Sequence, residues 1–189
     1  MDNLLELMKS SGAVLEGHFQ LTSGRHSNVY LEKFRLLEKP DVVMELGRRM
    51  ASALPEKEVD VVLGAAIGGI LLSHAAAAEL DTQGIFAERV NGNLSLRRGF
   101  ELSKGDSVLI VEDIVSTGGS VKELIELVEQ YKAKVAGVVC IVDRTKDGVN
   151  FGCSTEALLR YPVVSWEPDE CPLCEQGILI TSRGRTGKK

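Results

Sequence analysis

A chain of 189 residues, 44% hydrophobic and 26% charged, has the make-up of an ordinary globular protein, with length for one core domain and a small appendage. Its net charge of −5 excludes the global basic field of a nucleic-acid binder, and only the final TSRGRTGKK, read as a frayed tail, is strongly basic. No stretch approaches the about 18 apolar residues of a membrane span, and MDNLLELMKSSG is too acidic and too short in its apolar run for a signal peptide. The expectation is a cytoplasmic protein with neither membrane nor nucleic acid as partner.

In chain order, Asp2 or Asn3 is placed to cap a short helix carrying Leu4, Leu5, Leu7 and Met8 that ends near Gly12. HFQLTSGRHSNVYLEKF, residues 18–34, alternates around a Ser-Gly turn and predicts two short strands. Pro40 suits the first turn of a helix that runs to about Leu54 and stops at Pro55. The pattern then changes. Apolar runs at 59–64, 84–90, 107–113 and 134–144 read as strands, and 68–80 and 118–131 read as helices. Buried strands alternating with helices predict βαβ units and a parallel sheet. The segment 91–106, NGNLSLRRGFELSKGD, is long for a strand-to-strand link; it reads as a functional lid, a projecting β-hairpin, or both. Residues 155–180 hold short extended pieces. The expected division is 1–58 as an N-terminal hood segment with its leading helix, 59–154 as the core, and 155–189 as an extended segment with the basic tail.

The chemistry concentrates in SVLIVEDIVSTGGSV, residues 107–121. Glu112 and Asp113 end a predicted central strand, and in an open parallel sheet ligands bind at the carboxyl ends of the strands. Thr117-Gly118-Gly119-Ser120 then opens a helix, where unpaired backbone N–H groups suit a phosphate. One end of this element wants an anion, and the acids want hydroxyl groups or a cation. A sugar phosphate satisfies both. A nucleotide phosphate loop would carry a lysine after the glycines, and none is here. The bland reading is a capped turn beside exposed acids.

VLIVEDIVSTGGSV closely resembles the signature of the type I phosphoribosyltransferases, which bind phosphoribosyl pyrophosphate. The resemblance implies their α/β fold: a parallel sheet flanked by helices, a small hood built from the N- and C-terminal segments, and a projecting hairpin. It implies that Glu112 and Asp113 hold the ribose hydroxyls and that the strand end and loop from Ile114, Val115 and Ser116 through Thr117, Gly118, Gly119 and Ser120 contact ligand, the loop holding the 5-phosphate. FQLTSGRHSNVY (19–30), LGAAIGGILLSHAAA (63–77) and VDR (142–144) resemble further segments of the orotate phosphoribosyltransferase family. FAER…LRRGF with a late CPLC looks most like its Thermus-type branch. By that resemblance Ser23, Gly24, Arg25 and Tyr30 are substrate-binding, Ala65 and Ala66 meet the diphosphate, and Arg144 contacts the orotate carboxylate. Mg²⁺, held mainly by substrate, is the implied cofactor. A homodimer with shared active sites is the implied assembly.

The chain departs from the family pattern at Thr22, often lysine, and at Asn28, where proline is usual. The hairpin RVNGNLSLRRG, residues 89–99, lacks the lysines and histidine of the better-known enzymes. Arg89, Arg97 and Arg98 are its cations. Arginine neutralises diphosphate bidentately but is no general acid at neutral pH, so Asp113, Arg97 and Arg98 are read as catalytic through charge alone. Alternatives on the same scaffold are a purine-type enzyme, which a cation at Arg144 disfavours, and a non-catalytic phosphoribosyl pyrophosphate sensor.

The four cysteines, Cys140, Cys153, Cys171 and Cys174, are expected to stay reduced. Cys171-x-x-Cys174 is half of a zinc ligand set, or a turn with reduced thiols. Cys140 falls in a buried strand, and Cys153 or a dimer partner is left to complete a metal site. His26 reads as a ligand contact or a surface residue, His74 as a packed or capped histidine, and Trp166 as core.

Overall fold

The computed structural model describes residues 4–21, 23–54 and 58–182. The cap expected at Asp2 or Asn3, the departure at Thr22, the stop at Pro55 and most of the basic tail lie outside the described residues. In chain order the elements are α1 (Leu4–Ser10), β1 (Val14–Gln20), β2 (His26–Leu31), α2 (Phe34–Leu37), α3 (Pro40–Ser52), β3 (Val61–Ala65), α4 (Gly68–Leu80), β4 (Gln83–Val90), β5 (Asn93–Leu96), β6 (Ser107–Val115), α5 (Gly119–Gln130), β7 (Lys134–Asp143), β8 (Thr155–Arg160), a 3₁₀ turn (Pro168–Glu170), α6 (Pro172–Glu175) and β9 (Thr181–Ser182). They fall into two compact units: residues 36–161, and residues 1–35 together with 162–189.

The larger unit is a six-stranded sheet of order β5-β4-β3-β6-β7-β8. All its pairings are parallel except β4 with β5. Its central strands are buried on both faces, which is why they read as unbroken apolar runs. On one face Val61, Leu63, Ile110, Val138 and Cys140 pack with Val121, Leu124, Leu127 and Val128 of α5. The alternate residues, Val62, Leu109, Val111, Val139 and Ile141, are equally buried on the opposite face, the face of α4 and α3. α3 buries Val42, Val43, Leu46, Gly47 and Met50, one side of a 3.6-residue period. A Cβ on Gly47 would stand 2.5 Å from the Ala75 Cβ, so glycine there and alanines on α4 let the two helices nearly touch.

The expected boundaries after residues 58 and 154 give way to divisions at 35/36 and 161/162. α3 joins the larger unit because it packs on α4, and β8 joins it because it pairs with β7. His74, expected to be packed or capped, lies on the exposed side of α4.

The smaller unit is a three-stranded sheet, β2-β1-β9. β1 and β2 are antiparallel, with an irregularity between Glu16 and Phe19, and β9 runs parallel to β1. A bridge between His26 and Trp166, with reciprocal backbone hydrogen bonds of 2.9 and 2.8 Å, ties the hairpin to the C-terminal segment.

Candidate functional site

The strand order contains a switch point. β3 leads through α4 to β4 on one side, while β6, the next parallel strand in the chain, lies on the other side of β3. The crevice beyond the carboxyl ends of β3 and β6 is where an open α/β sheet binds ligands. Register brings the predicted residues to this edge. Gly64 pairs with Val111, so Ala65 and Ala66 stand level with Glu112 and Asp113. Val115 pairs with Asp143, and the Arg144 N–H donates to the Val115 carbonyl at 2.9 Å, so Arg144 stands just past the end of β6.

Asp113 is 4% exposed, and its Oδ1 accepts a hydrogen bond from the Ile114 N–H at 2.7 Å. Glu112 is half-buried, with Oε2 turned inward. The chain leaves β6 through exposed Ser116 and Thr117 and enters α5 at Gly118, whose φ of 77° is left-handed. A Cβ on Gly118 would lie 2.8 Å from Phe151 Cε1 and 3.1 Å from Val149 Cγ1. Glycine is therefore required there for conformation and for space. No side chain caps α5, which leaves its first N–H groups facing a small cavity of about 60 Å³ walled by Glu112, Ile114, Val115 and the residues from Ser116 to Val121. A neighbouring cavity of about 270 Å³ is lined by Val115, Asp143, Gly148, Val149, Phe151 and Arg160 among others. There the Asp143 Oδ1 is occupied, accepting from the Thr145 N–H at 2.8 Å and its hydroxyl at 2.6 Å. Phe151 and Val149, which no sequence motif singles out, thus wall a cavity and fix the Gly118 turn.

On the other side of the switch point, β3 ends at buried Ala65 and half-buried Ala66, and the Ala66–Ile67 peptide is cis. Gly64 and Gly69 permit a tight return into α4: a Cβ on Gly64 would stand 2.3 Å from the Gly69 carbonyl oxygen. The Ala66 N–H donates to the Ala87 carbonyl at 2.8 Å, which holds the loop to β4.

The hairpin is real, and its strand part is short. Ala87 pairs with both Ala65 and Leu96, so residues 88–90 continue past the end of β3, about 10 Å at about 3.3 Å per residue. Asn91 (φ 49°) and Gly92 (φ 92°) turn it, as a two-residue hairpin with positive φ at both positions requires. Arg89 and Arg98 are engaged on α5 and on the hairpin itself. Arg89 forms a fork on Glu123 of α5 at 2.8 and 3.0 Å. Arg98 forms one on Glu88 at 3.0 and 2.9 Å. The Arg98 guanidinium lowers the Glu88 carboxyl below its ordinary pKa, with Arg97 adding a weaker pull, and Arg98 is raised in return. Arg97 is exposed. Arg89, Arg97 and Arg98 therefore sit on the hairpin rather than within the crevice lining.

In the smaller unit Ser23 and Gly24 form the hairpin turn, with Gly24 at φ 85°. Arg25 is gripped by the C-terminal segment: its Nε donates to Ser165 Oγ at 3.0 Å, its Nη2 to the Ser165 carbonyl at 2.8 Å, and it pairs with Glu167. Tyr30 stacks at a tilt against Phe19, ring centroids 5.7 Å apart. The same unit holds a group that sequence reasoning left in pieces. His18, His26, Cys171 and Cys174 bring one ligand-type atom each within 4.8 Å of one another. Cys153, one of the residues left to complete a metal site with the CPLC pair, lies in the larger unit and is half-buried. Cys140 is buried in β7, where desolvation and the nearby Asp143 and Glu112 carboxylates push its thiol up to about 12. Among the described residues no helix is long and apolar enough to cross a membrane.

Residues 35–150 match the family model of the phosphoribosyl transferase domain. The orotate phosphoribosyltransferase of Pelotomaculum thermopropionicum is 46% identical over 97% of this chain and 96% of its own. That of Caldicellulosiruptor saccharolyticus is 43% identical over 95% of this chain and 94% of its own. Among solved structures, the orotate phosphoribosyltransferase of Aeropyrum pernix superposes with a TM-score of 0.61 at 27% identity, covering 81% of this chain and 93% of that one.

Proposed function

The chain belongs to the orotate phosphoribosyltransferases, pentosyltransferases of pyrimidine biosynthesis, and we propose that the switch-point crevice between β3 and β6 is where it carries out the transfer. In this reading the ribose 5-phosphate of phosphoribosyl pyrophosphate passes to orotate, giving orotidine 5′-monophosphate and pyrophosphate. The observation that carries the site assignment is the pairing of two acids at the end of β6 with an uncapped helix start behind a glycine that nothing larger can replace.

Glu112 and Asp113 accept hydrogen bonds from the ribose hydroxyls. The backbone N–H groups and hydroxyls of Thr117–Ser120 donate to the 5-phosphate, helped by the positive end of α5. The backbone at Ala65 and Ala66 meets the diphosphate, and Arg144 receives the orotate carboxylate. In the reaction the C1–O bond to diphosphate breaks, with its electron pair leaving on oxygen, and a ring nitrogen of orotate forms the new bond to C1 while its proton passes to the departing pyrophosphate or to solvent. Positive charge grows on the ribose as the bond breaks, and the Asp113 carboxylate, already fixed by the Ile114 N–H, stabilises it without reorganising. No side chain becomes covalent.

Oxygen ligands suit Mg²⁺. The strand-end carboxylates supply them, whereas the metal-type cluster found among the described residues is nitrogen and sulfur. Substrate oxygens, with Glu112 and Asp113 behind the ribose hydroxyls, would hold the ion, which when bound neutralises diphosphate charge. The Arg98–Glu88 pair is exposed, so Arg98 is free to exchange Glu88 for diphosphate at little cost, with exposed Arg97 beside it.

A hairpin that projects past the sheet edge supports a homodimer in which it reaches the neighbouring subunit's crevice; sedimentation of the purified protein as a monomer would remove that assembly. Four free thiols fit a cytoplasmic enzyme. The substrate reading is tested by pyrophosphate release with phosphoribosyl pyrophosphate and Mg²⁺. Orotate should be consumed far faster than uracil, adenine, hypoxanthine or guanine, and equal or better turnover of a purine would overturn it.

A further inference from the structure

The smaller unit contains a four-cornered cluster of residues far apart in sequence. His18 is on β1, within the irregular stretch of the β1–β2 ladder, and His26 opens β2. Cys171 is the N-cap residue of α6 and Cys174 lies within it. His18 Nε2 lies 3.2 Å from His26 Nδ1 and 3.5 Å from Cys171 Sγ. Cys174 Sγ lies 3.8 Å from His18 Nε2 and 3.3 Å from His26 Nδ1. A tetrahedral zinc ion with bonds of about 2.0–2.1 Å to nitrogen and about 2.3 Å to sulfur has edges of about 3.3 Å (N–N), about 3.5 Å (N–S) and about 3.8 Å (S–S). The one N–N and three N–S separations above lie within about 0.3 Å of such edges, and all four atoms lie within 4.8 Å of one another.

Protonation agrees with the geometry. The second ring nitrogen of His18, Nδ1, lies 2.7 Å from the Ile178 carbonyl oxygen. A carbonyl only accepts, so Nδ1 carries the hydrogen and Nε2 turns its lone pair into the cluster. A backbone carbonyl orienting a ligand imidazole in this way is a usual outer partner of metal-bound histidine. His18 and His26 are 3% and 7% exposed and Cys171 1%, while Cys174 is exposed, which leaves a path for an ion to enter. Thiols are weak hydrogen-bond donors, so mutual hydrogen bonding alone is a poor reason to bury these groups together. Two thiolates would neutralise a divalent ion, so the site buries no net charge.

We propose that His18 Nε2, His26 Nδ1, Cys171 Sγ and Cys174 Sγ bind one structural zinc ion. All four positions are filled by protein, which is the closed arrangement of structural rather than catalytic zinc, and the N₂S₂ set suits zinc over magnesium or calcium. The ion joins the β1–β2 hairpin to the C-terminal segment, alongside the His26–Trp166 bridge and the Arg25 contacts to Ser165 and Glu167. It thereby fixes the hairpin whose turn carries Ser23 and Gly24.

The test is metal analysis of the untagged, full-length protein by plasma mass spectrometry. One equivalent of zinc per chain is expected, released stoichiometrically when the thiols are blocked with a mercurial. Cobalt replacing it should show the intense visible bands of a tetrahedral ion and thiolate-to-cobalt charge transfer. Cys174→Ser and His26→Ala should each lose most of the metal and lower the melting temperature, while Cys153→Ser should keep both. Where a variant fails to fold, the cobalt spectrum of the unaltered protein still decides. Metal-free protein as purified with four titratable thiols, a Cys171–Cys174 disulfide, or an octahedral cobalt spectrum would overturn the proposal.

Discussion

Replacing Gly118 with alanine probes the turn on which the proposed phosphate loop depends. The residue sits at φ 77°, where an L side chain costs about 1–2 kcal/mol. Its new Cβ would stand 2.8 and 2.9 Å from the ring of Phe151 and 3.1 Å from Val149 Cγ1. Phe151 packs against the core on the α5 side of the sheet, so the ring cannot swing away freely, and such overpacking costs about 1–3 kcal/mol. The sum, about 2–5 kcal/mol, corresponds to a fall in melting temperature of about 4–20 °C for a chain of this size. Gly119→Ala is the internal control: its Cβ would meet nothing nearer than Thr117 Oγ1 at 3.7 Å. Calorimetry of the two variants reads the stability difference. Steady-state kinetics should show the Gly118 variant raising KM for phosphoribosyl pyrophosphate more than KM for orotate. Phe151→Leu in the Gly118→Ala background should recover the crowding share and leave the backbone share. Equal melting temperatures for the two alanine variants would refute the reasoning.

Asp113→Asn keeps the acceptor for the Ile114 N–H but removes the charge; turnover should fall by about 10- to 150-fold, as loss of about 1.5–3 kcal/mol implies, with little change in melting, and parent-like turnover in steady-state assays would make the acids bystanders. Alanine at both Arg97 and Arg98 should lower kcat more than it raises KM for orotate, because the charge they meet develops as pyrophosphate leaves. Lysine at either position should keep part of the activity, and unchanged kcat in the double alanine variant would remove them from the mechanism.

What the sequence made legible follows the range of the interactions. The helix expected over 68–80 coincides with α4, which the structure ends at a left-handed Asp81. The strand expected to end at Asp113 runs to Val115, since its ladder with β7 continues past the acids; polar side chains near the carboxyl end of a strand hide where it stops. β8 is one of the short extended pieces expected from 155 onward, but TEALLR is an edge strand with little burial, and its place in the larger sheet depends on pairing with β7. The pieces of the crevice, Glu112 to Ser120, Ala65 to Ala66 and Arg144, were legible as motifs, while their convergence is a matter of strand order. The ion pairs of Arg89 and Arg98 depend on which carboxylates the hairpin and α5 bring near, and no spacing rule reports that. The His18–His26–Cys171–Cys174 group was least legible: CPLC is a local signal for half a site, but its partners lie about 150 residues upstream, as in the Cys171–His18 separation of 153 positions. Only the folding of the two chain ends into one sheet brings them together.

The most direct measurement is an experimental structure of the protein with phosphoribosyl pyrophosphate and orotate bound. The 5-phosphate should lie on the N–H groups of Thr117–Ser120 at the start of α5, the ribose hydroxyls on Glu112 and Asp113, the diphosphate against Ala65–Ala66, and the orotate carboxylate on Arg144. A sugar phosphate bound away from the β3–β6 switch point, with the Gly118 turn facing solvent, would contradict the account.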